Sequence, residues 1–117
     1  MPDCIFCSIV KGEPKADIVF SSEDCIAFHD IHPKAPVHIL VIPRKHINSV
    51  AEMTEEDTML MGQLIKCAKD IASKNGLSSL GYKLVFNVGR GGGQVIDHVH
   101  LHLLGGWKDT NETKKEN

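Results

Sequence analysis

His98-Val99-His100-Leu101-His102-Leu103-Leu104 sets imidazoles and apolar side chains in strict alternation. In an extended strand a period of two sends Val99, Leu101 and Leu103 to one face and the three histidines to the other. Such a row is demanding to keep. Neutral imidazoles need partners for both ring nitrogens, and clustered rings oppose one another's protonation. A strand that served only as scaffold would carry less demanding residues, so the pattern predicts one buried face and one chemically active face.

The flanking sequence extends this picture. Just upstream, Arg90-Gly91-Gly92-Gly93-Gln94 is a glycine run that can turn its backbone N–H groups toward an anion, because no Cβ obstructs the approach. Taken alone it is equally a flexible hairpin. Tyr82 to Val88 alternates as a strand, which places two strands side by side across the glycines. Before them, Thr54-Glu55-Glu56-Asp57 has the form of a capping box. Leu60, Met61, Leu64, Ile65, Ala68, Ile71 and Ala72 then form a core stripe at helical spacing that ends at Asn75-Gly76. His38 to Ile42 is an apolar run bounded by prolines, suited to a strand buried on both faces. Ile18 to Phe20 and Cys25 to Phe28 flank the polar turn Ser21-Ser22-Glu23-Asp24 as a hairpin. The expected class is α+β, an antiparallel sheet with one long helix on the face carrying Val99, Leu101 and Leu103.

A chain of 117 residues suits one domain, expected over residues 1–107, with 108–117 a mobile hydrophilic tail lacking any apolar anchor. A hydrophobic fraction of 42% and a net charge of -2 are ordinary for a globular protein, and the near-neutral balance argues against a grip on nucleic-acid polymers. No segment approaches the roughly 18 uninterrupted apolar residues of a membrane span. Met1-Pro2-Asp3-Cys4 lacks the basic start and apolar run of a signal peptide, so the expected location is the cytoplasm.

In that setting disulfides have little use, and Cys25 and Cys67, each among apolar residues, are expected in the core. Cys4-Ile5-Phe6-Cys7 differs, because a C-x-x-C pair brings two sulfurs to one side of a tight turn where a metal or a disulfide can join them. The polar Lys11-Gly12-Glu13-Pro14 that follows does not supply the strand and helix of a thioredoxin-like site.

The triad segment, together with Phe28-His29-Asp30-Ile31, Ala35-Pro36-Val37-His38-Ile39-Leu40-Val41-Ile42-Pro43, His46-Ile47 and Gly92-Gly93-Gln94, resembles the histidine triad superfamily of nucleotide hydrolases and transferases. The resemblance runs from Ile5 to Gly106. Gly105-Gly106 directly after the triad is similar to the Hint branch, the nucleoside phosphoramidases. It implies a five-stranded antiparallel sheet with one long helix and a short N-terminal helix, and a homodimer whose sheets join edge to edge.

It also implies roles. His100 corresponds to the nucleophile that attacks the α-phosphorus of a purine nucleotide conjugate, and His102 to the group that contacts the phosphate or leaving group. His98 and His38 correspond to supporting positions. Asp30 corresponds to the ribose ligand, Phe28 and Ile31 to the base pocket, and Asn87, Gly93, Gln94 and Val95 to the phosphate cradle. Cys4, Cys7, His46 and His98 correspond to the structural zinc site, one ion per chain, found in many bacterial members. Two departures stand out. Val95 occupies a place where the branch usually has Ser, and Trp107 follows Gly106 at once where members often carry a longer apolar C-terminus. The implied activity is hydrolysis of nucleoside 5'-phosphoramidates or related conjugates to the monophosphate. A weakly active nucleotide-binding module and a nucleotidyl transferase are the alternatives.

Overall fold

A computed structural model describes residues 4–13 and 16–108. In chain order the elements are α1 (Ile5–Val10), β1 (Ile18–Ser21), β2 (Cys25–His29), β3 (Val37–Pro43), α2 (Thr58–Lys74), β4 (Tyr82–Phe86) and β5 (Leu101–Gly105). The strands pair antiparallel throughout, in the order β1-β2-β3-β5-β4. The α+β class, the five strands, the long helix and the short N-terminal helix are therefore as expected. Of the tail expected at 108–117, residues 109–117 lie outside the described residues. Among the described residues no helix is long and apolar enough to cross a membrane.

Each face of the sheet has its own core. Ile39, Val41, Val99, Leu101 and Leu103 pack with Met61, Leu64, Ala68, Ile71 and Ala72 of α2. On the opposite face Ile26, Phe28, Leu40 and Ile42 pack with Phe6 and Ile9 of α1. The apolar run of β3 is thus buried on both sides, as its length and its bounding prolines predicted. Helix α2 is preceded by the expected capping box, in which the Thr54 N–H donates to Asp57 Oδ2 at 2.9 Å. The Lys45 ammonium donates to Asp57 at 2.6 Å and holds that carboxyl below its usual range. Ile65 departs from the expected stripe and is 47% exposed. It lies about a quarter-turn from the middle of the buried arc, and Cys67 takes the core place instead. Cys25 and Cys67 are both buried and free.

The triad strand needs a correction. The ladder begins only at Leu101, opposite Val41 of β3 and Phe86 of β4, so His98 and His100 precede the strand. Beyond Val41 the backbone diverges, and Val99 N–H bonds instead to the carbonyl of Ile47 at 2.7 Å. Sidedness survives the loss of the ladder, since Val99 still points into the α2 core. Strand β4 likewise stops at Phe86, short of the expected Val88. After β5, Gly106 turns at φ +93, and a Cβ there would stand 2.9 Å from Cβ of Pro36, which is why the pair after the triad ends in glycine.

Candidate active site and metal cluster

His100 and His102 open onto one cavity of about 500 Å³, a size suited to a small-molecule ligand. Phe28, Asp30, Ile31, Asn87, Gly93 and Val95 line it with them, which brings most of the residues expected at a nucleotide site to one place. His38 and His98 stand behind this wall, 3% and 0% exposed.

Hydrogen bonds decide which nitrogen of each ring carries the proton. The carbonyl of His98 can only accept, so His100 donates to it from Nδ1 at 2.7 Å and presents a bare Nε2. For His38 the reverse holds. The Lys34 N–H donates to His38 Nδ1 at 3.0 Å, which leaves the ring proton on Nε2. That proton faces His102 Nδ1 at 3.0 Å, with Asp30 Oδ2 at 3.4 Å. His102 therefore accepts at Nδ1 and carries its own proton on Nε2. The His100 and His102 ring centroids are 5.0 Å apart, so a bare nitrogen and an N–H stand at neighbouring positions. Burial, followed by repulsion from His100 and His38, pushes His102 down to about 4. Burial also holds His38 below its ordinary value, against the opposing pull of Asp30. Both shifts favour the uncharged rings of His102 and His38.

The glycine loop is braced from within. Gln94 is 2% exposed and spends its side chain inside the protein, donating to the carbonyls of Asn48 at 2.6 Å and Ile96 at 2.9 Å and accepting the Gly89 N–H at 2.9 Å. Its side chain is thus a support for the loop and does not line the cavity. Asn87 donates one N–H to the Gly92 carbonyl at 2.8 Å. Gly93 sits at φ +89, with Asn87 Nδ2 3.4 Å from where a Cβ would lie. Val95 is 76% exposed at the cavity.

At the other end of the triad, Cys4, Cys7, His46 and His98 gather their ligand atoms within 4.8 Å of one another. The Sγ to Nδ1 separations are 3.7 and 3.4 Å from Cys4, and 3.1 and 3.6 Å from Cys7, to His46 and His98 in turn. A tetrahedral Cys₂His₂ zinc site has sulfur-to-nitrogen edges of about 3.6 Å. The tautomers agree. His46 Nε2 donates to Asn48 Oδ1 at 2.7 Å and His98 Nε2 to the Pro43 carbonyl at 2.8 Å, so both Nδ1 lone pairs face the sulfurs. Burial and the hydrogen bond with Cys7 push the Cys4 thiol up, a penalty that a bound cation would remove. These residues fit zinc.

Asp30, His38 and His102 form a second group of metal-ligating type. It fails the same test. To offer Nε2 to an ion, His38 would have to give up its only ring proton while Nδ1 goes on accepting from Lys34, and the ring would become an anion. This group is a hydrogen-bond relay.

Sequence reasoning missed the α1 wall of the cavity, formed by Ile5, Phe6 and Ile9, and the lysine at its edge, Lys34. The signal was present, since Ile5 and Ile9 recur at helical spacing around the C-x-x-C pair.

A family model described as HIT domain matches residues 11–109. An uncharacterised HIT-like protein of Synechococcus elongatus is 48% identical over 104 residues, 89% of this chain and 90% of that one. The crystal structure of a HIT family hydrolase from Legionella pneumophila superposes with a TM-score of 0.88 at 47% identity, covering 91% of this chain and 95% of that one. A zinc-bound histidine triad family protein from Mycobacterium smegmatis gives 0.77 at 26% identity, over 91% and 76%.

Proposed function

The chain belongs to the HIT domain family, and on that premise we propose that it hydrolyses purine nucleoside 5'-phosphoramidates or related nucleotidyl conjugates through a nucleotidyl-histidine at His100. One observation carries this reading: the bare Nε2 of His100 lies beside the N–H-bearing Nε2 of His102 in a cavity that also holds Asp30. The His100 lone pair attacks the α-phosphorus while the P–N bond to the leaving amine breaks. His102, a neutral donor, bonds the phosphoryl oxygen or leaving nitrogen as charge develops, and the amine takes its proton from water. The hydroxide left from that water then attacks phosphorus, the bond to His100 breaks, and the nucleoside monophosphate leaves with the ring restored. Asp30 accepts from the ribose hydroxyls, Phe28 and Ile31 flank the base, and Asn87 with the Val95 N–H holds phosphate oxygens, the Gly93 and Gln94 N–H groups being spent on the Arg90 and Gly89 carbonyls at 3.0 Å.

Cys4, Cys7, His46 and His98 hold one structural zinc in this reading, supported by the donor geometry and by the zinc-bound relative. Homodimerisation through β4 is part of it. That strand is a sheet edge, with Leu84 38% exposed. The proposal places the protein in the cytoplasm. Exposure of Val95 where a hydroxyl would meet the leaving group favours a second reading, a nucleotide-binding module of weak turnover. Incubation with adenosine 5'-phosphoramidate separates the two. The hydrolase releases AMP over many turnovers and yields a covalent nucleotide when quenched in alkaline denaturant, where P–N bonds survive, whereas the module binds AMP with neither.

A further inference from the structure

Phe6 lies between the two cysteines in sequence and against the nucleophile in space. Its ring is 4% exposed and meets the His100 ring edge-on, with centroids 5.1 Å apart and planes at 75°. The same ring touches His98 at 5.9 Å and Phe28 at 5.6 Å. One hydrogen bond, from Nδ1 to the His98 carbonyl, ties His100 to the backbone, and a ring tied at one nitrogen can still pivot about that bond. The Phe6 ring and the His102 ring restrict the pivot.

Phe6 packs on Phe28, Leu40 and Ile42 of the sheet, and the metal end of the chain adds a tether to that packing. Six residues of helix are too few to hold themselves. Cys4 Sγ accepts the Cys7 N–H at 3.1 Å, and both sulfurs converge on His46 and His98. We propose that Phe6 is a positioning residue for His100, held against it by the cysteine tether of α1, so that the metal cluster orients the nucleophile without touching substrate. This rests on His100 being the nucleophile. A shift of reacting atoms by about 1 Å is worth on the order of 100-fold in rate, so a loose ring has a large kinetic effect.

The test compares zinc-loaded wild type with Phe6→Leu, which keeps most of the bulk but no ring, and Phe6→Ala. Turnover of adenosine 5'-phosphoramidate should fall about tenfold in the leucine variant and about 100-fold in the alanine variant. AMP affinity should change less than about threefold in Phe6→Leu. A merely structural role would not move the second readout, the ¹⁵N ring signals of His100. Wild type should give the single Nδ1–H tautomer, and Phe6→Leu and chelated wild type a mixture of the two. Wild-type turnover in Phe6→Leu with an unchanged His100 spectrum would overturn the proposal, and an unchanged spectrum after chelation would overturn the tether. If wild type shows no turnover at all, the hydrolase reading fails, and the ring spectra still judge Phe6.

Discussion

The metal cluster and the cavity wall are built from the same side chain and put it to opposite uses. His98 and His100 each give a proton to a backbone carbonyl, of Pro43 and of His98, and each is left with a bare nitrogen that can bind an ion or attack phosphorus. His38 meets a backbone N–H instead, and from that single reversal the proton is passed outward, so that His102 ends as a donor. The lesson is that the local backbone assigns the role of a histidine. Four such rings can then divide lone pairs and protons among themselves.

The hardest blow to this division is His100→Asn. Turnover should fall more than about 1,000-fold while AMP affinity and zinc content stay near wild type, and parallel kinetics, titration and metal analysis would show it. Retained turnover would mean that the bare nitrogen is not the nucleophile.

Damage in the other direction should spread. Protein purified without added zinc is expected to hold about one equivalent, and Cys4→Ser to hold little and to melt about 10 °C lower. Equal melting temperatures and negligible metal in both would remove the cluster from the comparison.

Acid probes the neutral rings. His102 lies below its unfolded value of 6.5, at about 4, so the unfolded chain binds the extra proton first. Its contribution is fully present above pH 6.5 and is lost as the pH falls from there to about 4, a loss of up to about 3 kcal/mol. Denaturant titrations of metal-free protein at pH 7 and pH 4.5 isolate this from metal release. A stability that rose on acidification would contradict the assignment.

The smallest effect concerns Val95→Ser. A hydroxyl at this exposed position can bond the departing amine, worth about 1–3 kcal/mol or roughly 5- to 150-fold in kcat for poor leaving groups. AMP affinity should stay level, because the cradle's donors do not depend on that side chain. A gain confined to affinity would make Val95 a packing residue.

Periodicity was enough to find α2, the doubly buried β3 and the sidedness of the triad, because burial repeats with the geometry of the chain. It placed the histidine face correctly yet carried the strand three residues too far. Alternation encodes which side a residue takes, whereas the ladder ends where β3 and β4 cease to offer partners at Val41 and Phe86. Gln94 was expected at the phosphate, but its amide is claimed by Asn48, a residue 46 positions away, and no local pattern records that. The same holds for Phe6. It lies inside the C-x-x-C pair, and only the fold sets it beside His100.

The separations inside both clusters set a schedule for the newborn chain. Cys4 meets His98 across 94 positions and His38 meets His102 across 64. At about 5–20 residues per second, the first thiol is made roughly 5 to 20 seconds before its last partner. Until then His46 is the one ring ligand the two sulfurs can share, and the interval in which an incomplete cluster leaves them vulnerable to oxidation is fixed by the order of the sequence.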